Sequence, residues 1–165
     1  MIVTVTPNPS IDRTITLSTP LTRGAVHRVR SVTTEPGGKG VNVARALTLA
    51  GVDAVALLPA SGNDPLVTAL QGIGVPFRCI PITSPVRTNI AVTEMDGTTT
   101  KINEPGARLV AAAIDALTRS VVGSAEHASW VVMSGSLPPG MPDSWYADVV
   151  VKLAPSDCQV AIDTS

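Results

Sequence analysis

Apolar and polar positions repeat with two different periods along this chain. Ile2-Val3-Thr4-Val5-Thr6 is a β-branched run closed by Pro7-Asn8-Pro9, which predicts a buried strand ended by a turn that cannot continue a ladder. From Ile11 to Leu17 the period is two, with Ile11, Arg13, Ile15 and Leu17 on one face and Asp12, Thr14 and Thr16 on the other. That predicts a half-exposed strand. Val26 to Val32 alternates in the same way, with Val26, Arg28, Arg30 and Val32 sharing a face.

After Glu35-Pro36-Gly37-Gly38 the period becomes helical. Residues 39–50 place Val43, Leu47 and Ala50 on one stripe, and Gly51 stands where a helix C-cap glycine belongs. A strand at 54–58 follows, then Asp64-Pro65 as N-cap and first-turn pair of a helix to Gln71, then a weaker strand from Phe77 to Ile82. Arg87 to Glu94 and Thr98 to Asn103 alternate on either side of Asp96-Gly97, a strong hairpin signal. Beyond Arg108, Val110, Ile114, Leu117 and Val121 mark a helix, followed by a strand at 130–133, a loop at 134–140, a helix at 144–153 and a strand at 159–162.

Alternating strands and helices predict an α/β protein with a parallel sheet covered by helices. The four Thr-rich strands enter as two insertions, at 11–33 and 86–104. Each has a polar face, so they are expected to pair in a small separate sheet. The chain stops at Asp163-Thr164-Ser165, just after a strand with no helix to cover it. The expectation is that residues 1–165 form the front portion of a larger doubly wound domain.

Composition narrows the function classes. Twelve Lys+Arg against thirteen Asp+Glu give a net charge of −1, which provides no electrostatic footprint for nucleic acid or an anionic membrane. Any anion must be held locally. Aromatics are only 2% of the chain, so base-stacking platforms are not expected. Cys79 and Cys158 lie far apart without CxxC spacing, which argues for core thiols in a reducing compartment rather than a zinc site or a disulfide. The apolar N-terminus lacks a basic flank and is interrupted by Asp12 and Arg13, so a cytoplasmic location is expected.

Several segments could carry chemistry. Glu35 to Asn42 runs through glycines into a helix start, where free N–H groups favour an anion or an array of hydroxyls, although a Gly-Gly turn is also ordinary punctuation. It is neither a P-loop nor GxGxxG. Asn42 falls in the first helical turn, facing either a ligand or solvent. Arg87 shares a strand face with Asn89 and suits bidentate phosphate recognition; the other reading is an arginine that limits edge pairing. Asp12 follows the turn at the carboxyl end of the first strand, where open α/β sheets bind ligands, or it caps that turn. The loop at 134–140 and Asp163 also follow strands. His27 and His127 have no motif context, and no metal-ligand spacing occurs.

Taken in order, Thr6-Pro7-Asn8-Pro9-Ser10-Ile11-Asp12, Pro36-Gly37-Gly38-Lys39-Gly40-Val41-Asn42-Val43-Ala44-Arg45, Arg87-Thr88-Asn89-Ile90, Asn103-Glu104-Pro105-Gly106 and Ser134-Gly135-Ser136-Leu137-Pro138-Pro139-Gly140 resemble the ribokinase-like sugar kinases of the phosphofructokinase-B family. The resemblance covers essentially the whole chain. It implies a ribokinase-like three-layer α/β/α core, incomplete here, with a small β-sheet lid and a sugar phosphate between them. It implies phosphorylation of a ketohexose phosphate, with fructose 1-phosphate or tagatose 6-phosphate as substrate. Carried over by matching positions, Asp12 and Asn42 would bind sugar hydroxyls, Gly38 would offer backbone contact, Lys39 and Arg87 would face the phosphate, and Ser136 would line the same pocket. Homodimerisation through the lid is a further implication.

The chain departs from the family pattern where Asn-x-x-Glu, linked to Mg-ATP, and Gly-Ala-Gly-Asp, with its general base, would follow; neither occurs. ATP and Mg are therefore expected to need a C-terminal part, and residues 1–165 alone are expected to be inactive. Two other classes remain. A dehydrogenase nucleotide domain would carry GxGxxG where this chain has Pro7-Asn8-Pro9, and a non-catalytic dimerisation module would use the lid strands without binding sugar phosphate.

Overall fold

The computed structural model describes residues 1–164; Ser165 lies outside them. In chain order the elements are β1 (Ile2–Val5), β2 (Ser10–Leu17), β3 (Val29–Gly37), α1 (Lys39–Leu49), β4 (Ala54–Ala60), α2 (Pro65–Gly72), β5 (Phe77–Pro81), β6 (Arg87–Thr93), β7 (Thr99–Asn103), α3 (Ala111–Ala125), β8 (Trp130–Ser134), α4 (Trp145–Leu153) and β9 (Gln159–Asp163). Five strands form one sheet of order β5-β4-β1-β8-β9, parallel throughout. Both faces of its centre are covered. Val3, Val5, Val55, Leu57, Val131 and Met133 point to α3 and α4, where Leu117, Val121, Trp145 and Val149 meet them. Ala56, Leu58 and Ala60 point the other way, to Val41 and Ala44 of α1 and Leu66 and Leu70 of α2. Each fully buried leucine contributes roughly 1.5–3 kcal/mol of burial free energy.

The alternating strands form a second sheet of order β3-β2-β6-β7. The two insertions join at its centre, where β2 and β6 run parallel, and the outer pairs are antiparallel. Register sets Glu35, Asp12, Asn89 and Asn103 in one row across the four strands, so one face carries a polar stripe. The opposite face carries Ile15, Ile90, Val92, Val32 and Ile102. This mixed α/β architecture, a parallel sheet with a second sheet beside it, is the expected fold class.

Several boundaries differ from the sequence reading. The strand expected at 26–32 is β3, Val29–Gly37, with Val26 in the preceding loop and 90% exposed. Glu35-Pro36-Gly37 looks like a turn, yet an edge strand accommodates proline. Gly37 is needed there because a Cβ would run into the Asp12 carboxylate. In α1 the buried stripe is Gly40, Val41 and Ala44 rather than Val43, Leu47 and Ala50. The stripe begins on a glycine, which no apolar count detects, because a Cβ at Gly40 would lie 2.6 Å from the Val5 carbonyl oxygen. Val110 precedes α3 as its N-cap and is exposed. Cys79 and Cys158 are free and only half-buried, packed at the margins of the two cores.

Candidate functional site

The carboxyl ends of β1, β8 and β9 form a rim, and the second sheet stands over the β1 end. Asn8, just past β1, is the buried joint between them at 5% exposure. Its Nδ2 donates to the Pro105 carbonyl at 3.0 Å and to the Ser136 hydroxyl at 3.2 Å. Its own carbonyl accepts from Arg87 Nη2 at 3.1 Å, while Arg87 Nη1 reaches the Glu104 carbonyl at 3.4 Å. The Glu104 carboxylate in turn accepts from the Thr88 backbone N–H at 2.8 Å. Gly106, at φ 104°, is held against the Asn8 amide, where any Cβ would collide. One asparagine thus ties the loop after β1, the loop after β7, the first residue of β6 and the loop after β8.

Asp12 lies next to this joint on the polar row. Its Oδ1 accepts from Ser10 Oγ at 2.7 Å and from Asn89 Nδ2 at 3.0 Å. The row lines a concave space of about 330 Å³ with Asp12, Asn89, Glu35, Lys101 and Asn103 on its walls. Two buried polar atoms here lack a protein partner, Arg87 Nε and Asn89 Oδ1. Buried groups left open in this way await a ligand or water. Burial lowers the pKa of the Arg87 guanidinium, and the nearby Asp12 carboxylate works against that shift. An arginine remains charged at neutral pH under such a shift.

The third contribution is the start of α1. Gly38 is its N-cap at φ 117°, with no side chain capping the helix, and sits against Thr6 and Pro9. Unsatisfied N–H groups at a helix start favour anions and hydroxyl oxygens. Asn42 is exposed on the first turn, its backbone N–H donating to Gly38 at 2.9 Å. Lys39 reaches away from this point to the end of β9, where its Nζ lies 3.2 Å from Asp163 Oδ2. The corner is braced by the Gly135 N–H donating to the Asp163 carbonyl at 2.9 Å and by Tyr146 donating to the Gly135 carbonyl at 2.8 Å. Burial, with Asp163 adding to it, pushes the Tyr146 hydroxyl up to about 12.

Of the residues singled out from sequence, Asp12, Gly38, Arg87 and Ser136 gather around Asn8 and the β1 end. Lys39 Nζ faces Asp163. Asn42 lies on the same helix start without a side-chain hydrogen bond among the described residues. Asn8 itself was read only as part of a turn. The one signal for it was a polar residue held between two prolines directly after a buried strand.

Chemically, a carboxylate and amides in a row suit several hydroxyls of one sugar, and a guanidinium beside a helix start suits a phosphate. A metal is a different matter. Among the described residues no group of three or more His, Cys, Asp or Glu could hold a metal ion. Among the described residues, too, no helix is long and apolar enough to cross a membrane.

Residues 5–161 match the pfkB family carbohydrate kinases, and the chain belongs to that family. It is 37% identical to a 1-phosphofructokinase of Xanthomonas campestris over 166 residues, covering 99% of this chain and 52% of that protein. It is also 37% identical to an ATP-dependent 6-phosphofructokinase isozyme 2 of Mycobacterium tuberculosis, covering 99% of this chain and 49% of that one. Phosphofructokinase-2 from Escherichia coli, solved in complex with substrates and products, superposes with a TM-score of 0.92 at 29% identity, over 99% of this chain and 54% of that chain. The chain spans about half the length of the relatives it matches.

Proposed function

We propose that this chain is the sugar-phosphate-binding portion of an ATP-dependent kinase that converts fructose 1-phosphate to fructose 1,6-bisphosphate. The observation that carries the reading is Arg87, fixed to Asn8 and Glu104 carbonyls with Nε unpartnered, beside Asp12 at the carboxyl rim of a parallel sheet. Arg87 holds the phosphate, Asp12 and Asn42 accept and donate to ring hydroxyls, Gly38 contributes backbone N–H, and Ser136 closes the pocket. In this reading residues 1–165 supply neither the Asn-x-x-Glu segment nor the Gly-Ala-Gly-Asp motif that the family links to Mg-ATP and the general base. The chain works in the cytoplasm.

The test has two arms. Purified chain should bind fructose 1-phosphate in calorimetry and should consume no ATP in its presence; ATP consumption dependent on the sugar would overturn the division of labour. A second reading is fructose 6-phosphate as substrate, favoured by the equal identity to the Mycobacterium tuberculosis relative. Titrating fructose 1-phosphate, fructose 6-phosphate and tagatose 6-phosphate in parallel separates these readings.

The apolar face of the second sheet is covered in this reading by a second copy of the chain. Ile102 at 58% and Val32 at 39% exposure are the residues that such pairing would bury. Sedimentation should show a dimer that Ile102→Lys converts to monomer.

A further inference from the structure

Between α3 and α4 runs an open groove of about 650 Å³, lined by Asp115, Thr118, Arg119, Val122, Gly123 and Lys152. α3 leads into β8 and α4 into β9, so Gly123 and Lys152, near the ends of their helices, lie toward the amino ends of those strands and away from the carboxyl rim. The floor of the groove offers no free polar side chain. Thr118 Oγ1 donates to the Ile114 carbonyl at 2.9 Å and accepts from Trp145 Nε1 at 2.9 Å, so its hydroxyl is engaged within the fold. Gly123 is exposed in the last turn of α3, where glycine weakens a helix relative to alanine. No ordinary need for a glycine holds there: its φ is not positive, an added Cβ would meet nothing within 4 Å, and the helix is capped at Glu126. What Gly123 provides is bare backbone on the groove floor.

Arg119 and Lys152 bring one cation from each helix. Among the described residues neither forms an ion pair. Asp115 and Asp148 lie one turn before them, where pairing is ordinary, but Asp148 Oδ2 accepts from Ser144 Oγ at 2.9 Å instead. The adjoining space shares Val122 and Lys152 with the groove and carries Glu126 and Asp157, which repel an anion. A negative head group is therefore directed to Arg119 and Lys152.

We propose that this groove is a second binding site, for a small organic anion with an apolar body, its head held by Arg119 and Lys152 and its body resting on Gly123 and Val122. A groove of this volume, with an apolar floor and a few polar groups, has the character of a small-molecule site. Apolar area covered on the floor supplies the affinity, and the two cations select the charge of the ligand. Gly123 lets a flat body reach the helix backbone, which any side chain there would prevent. The groove shares no residue with the sugar-phosphate site and does not rest on that reading.

Two-dimensional NMR of the chain titrated with 2-naphthoate tests it, with 2-naphthylmethanol as the probe that lacks the charge and inorganic phosphate as the probe that lacks the body. 2-Naphthoate should saturate and shift the amide signals of residues 118–123 and Lys152. The other two probes should each bind at least about fivefold more weakly, as exposed charges and a shallow apolar floor allow. Gly123→Leu should weaken 2-naphthoate at least about fivefold by filling the floor, with a urea midpoint equal to or above that of the unmodified chain because leucine favours a helix over glycine. Arg119→Gln combined with Lys152→Gln should bring 2-naphthoate down to the affinity of 2-naphthylmethanol and leave 2-naphthylmethanol unchanged. No saturable shift, shifts centred on Arg87 rather than on α3, equal binding of the three probes, or full affinity in Gly123→Leu overturns the inference. Each of those results leaves the sugar-phosphate reading to its own test with fructose 1-phosphate.

Discussion

Arg87 Nη2 donates to the backbone carbonyl of Asn8 at 3.1 Å, joining the first residue of β6 to the chain leaving β1. A side chain on the small sheet is thereby fixed to the carboxyl end of the large one. The arrangement orients the guanidinium by a main-chain atom, which no rotamer change can move. Its free Nε then has a defined direction, which is the property a phosphate-binding arginine needs.

Asn8 is the residue whose loss should be felt in both stability and binding. Asn8→Ala leaves the Pro105 carbonyl and Ser136 hydroxyl without their donor at a partly buried joint. Urea denaturation should show destabilisation of about 1–3 kcal/mol. Fructose 1-phosphate binding should weaken in the same variant even where folding is complete. Unchanged stability would mean that Asn8 is not the joint described.

Gly37→Ala should separate the sugar pocket from the fold. The added methyl falls on the Asp12 carboxylate, a side chain that can swing aside, at a position without positive φ. The expected result is loss of sugar-phosphate affinity with destabilisation within about 1–3 kcal/mol. Retained affinity would show that Asp12 does not contact the sugar.

Core and surface leucines should respond very differently in magnitude. Leu57 is fully buried between β1 and β5 on the α3 side of the sheet, and Leu57→Ala should cost about 2–5 kcal/mol in denaturant unfolding. Leu49, at 80% exposure on the last turn of α1, should shift stability by no more than about 0.5 kcal/mol when changed to alanine.

Much of this fold is legible because its signals are local. β-branched runs mark β1 and β8, and Asp96-Gly97 marks the β6–β7 hairpin. Asp64-Pro65 marks the start of α2, where Asp64 Oδ1 accepts from the Leu66 N–H at 2.9 Å. The second Asp64 bond, Oδ2 to the Val86 N–H at 2.9 Å, leads to the strand bearing Arg87 and has no local signature. β3 was displaced because Pro36 and Gly37 read as a turn when they serve an edge strand and a close approach to Asp12. The site follows the same division. Glycine turns and strand-end carboxylates show in the motifs, whereas Asn8 depends on partners 97 and 128 residues away and Lys39 on one 124 residues away. Such pairings are products of sheet order, which periodicity does not specify.

Alkaline stability should report the corner around Tyr146. Its hydroxyl loses its proton at about 10 in the unfolded chain and at about 12 in the folded one, so the unfolded state binds fewer protons between those values. Stability from this group is therefore complete below pH 10 and declines as pH rises toward 12. Tyr146→Phe should flatten that decline relative to the unmodified chain while lowering stability at neutral pH, because the bond to Gly135 is gone. Parallel pH curves for the two proteins would contradict the assignment.

The central claim is that Arg87 and the β1 rim hold a phosphorylated sugar, and titration calorimetry of fructose 1-phosphate into the unmodified chain and Arg87→Ala tests it most directly. The account predicts saturable one-to-one binding that Arg87→Ala weakens at least about tenfold. Identical isotherms for the two proteins, or no binding to the unmodified chain, would contradict it.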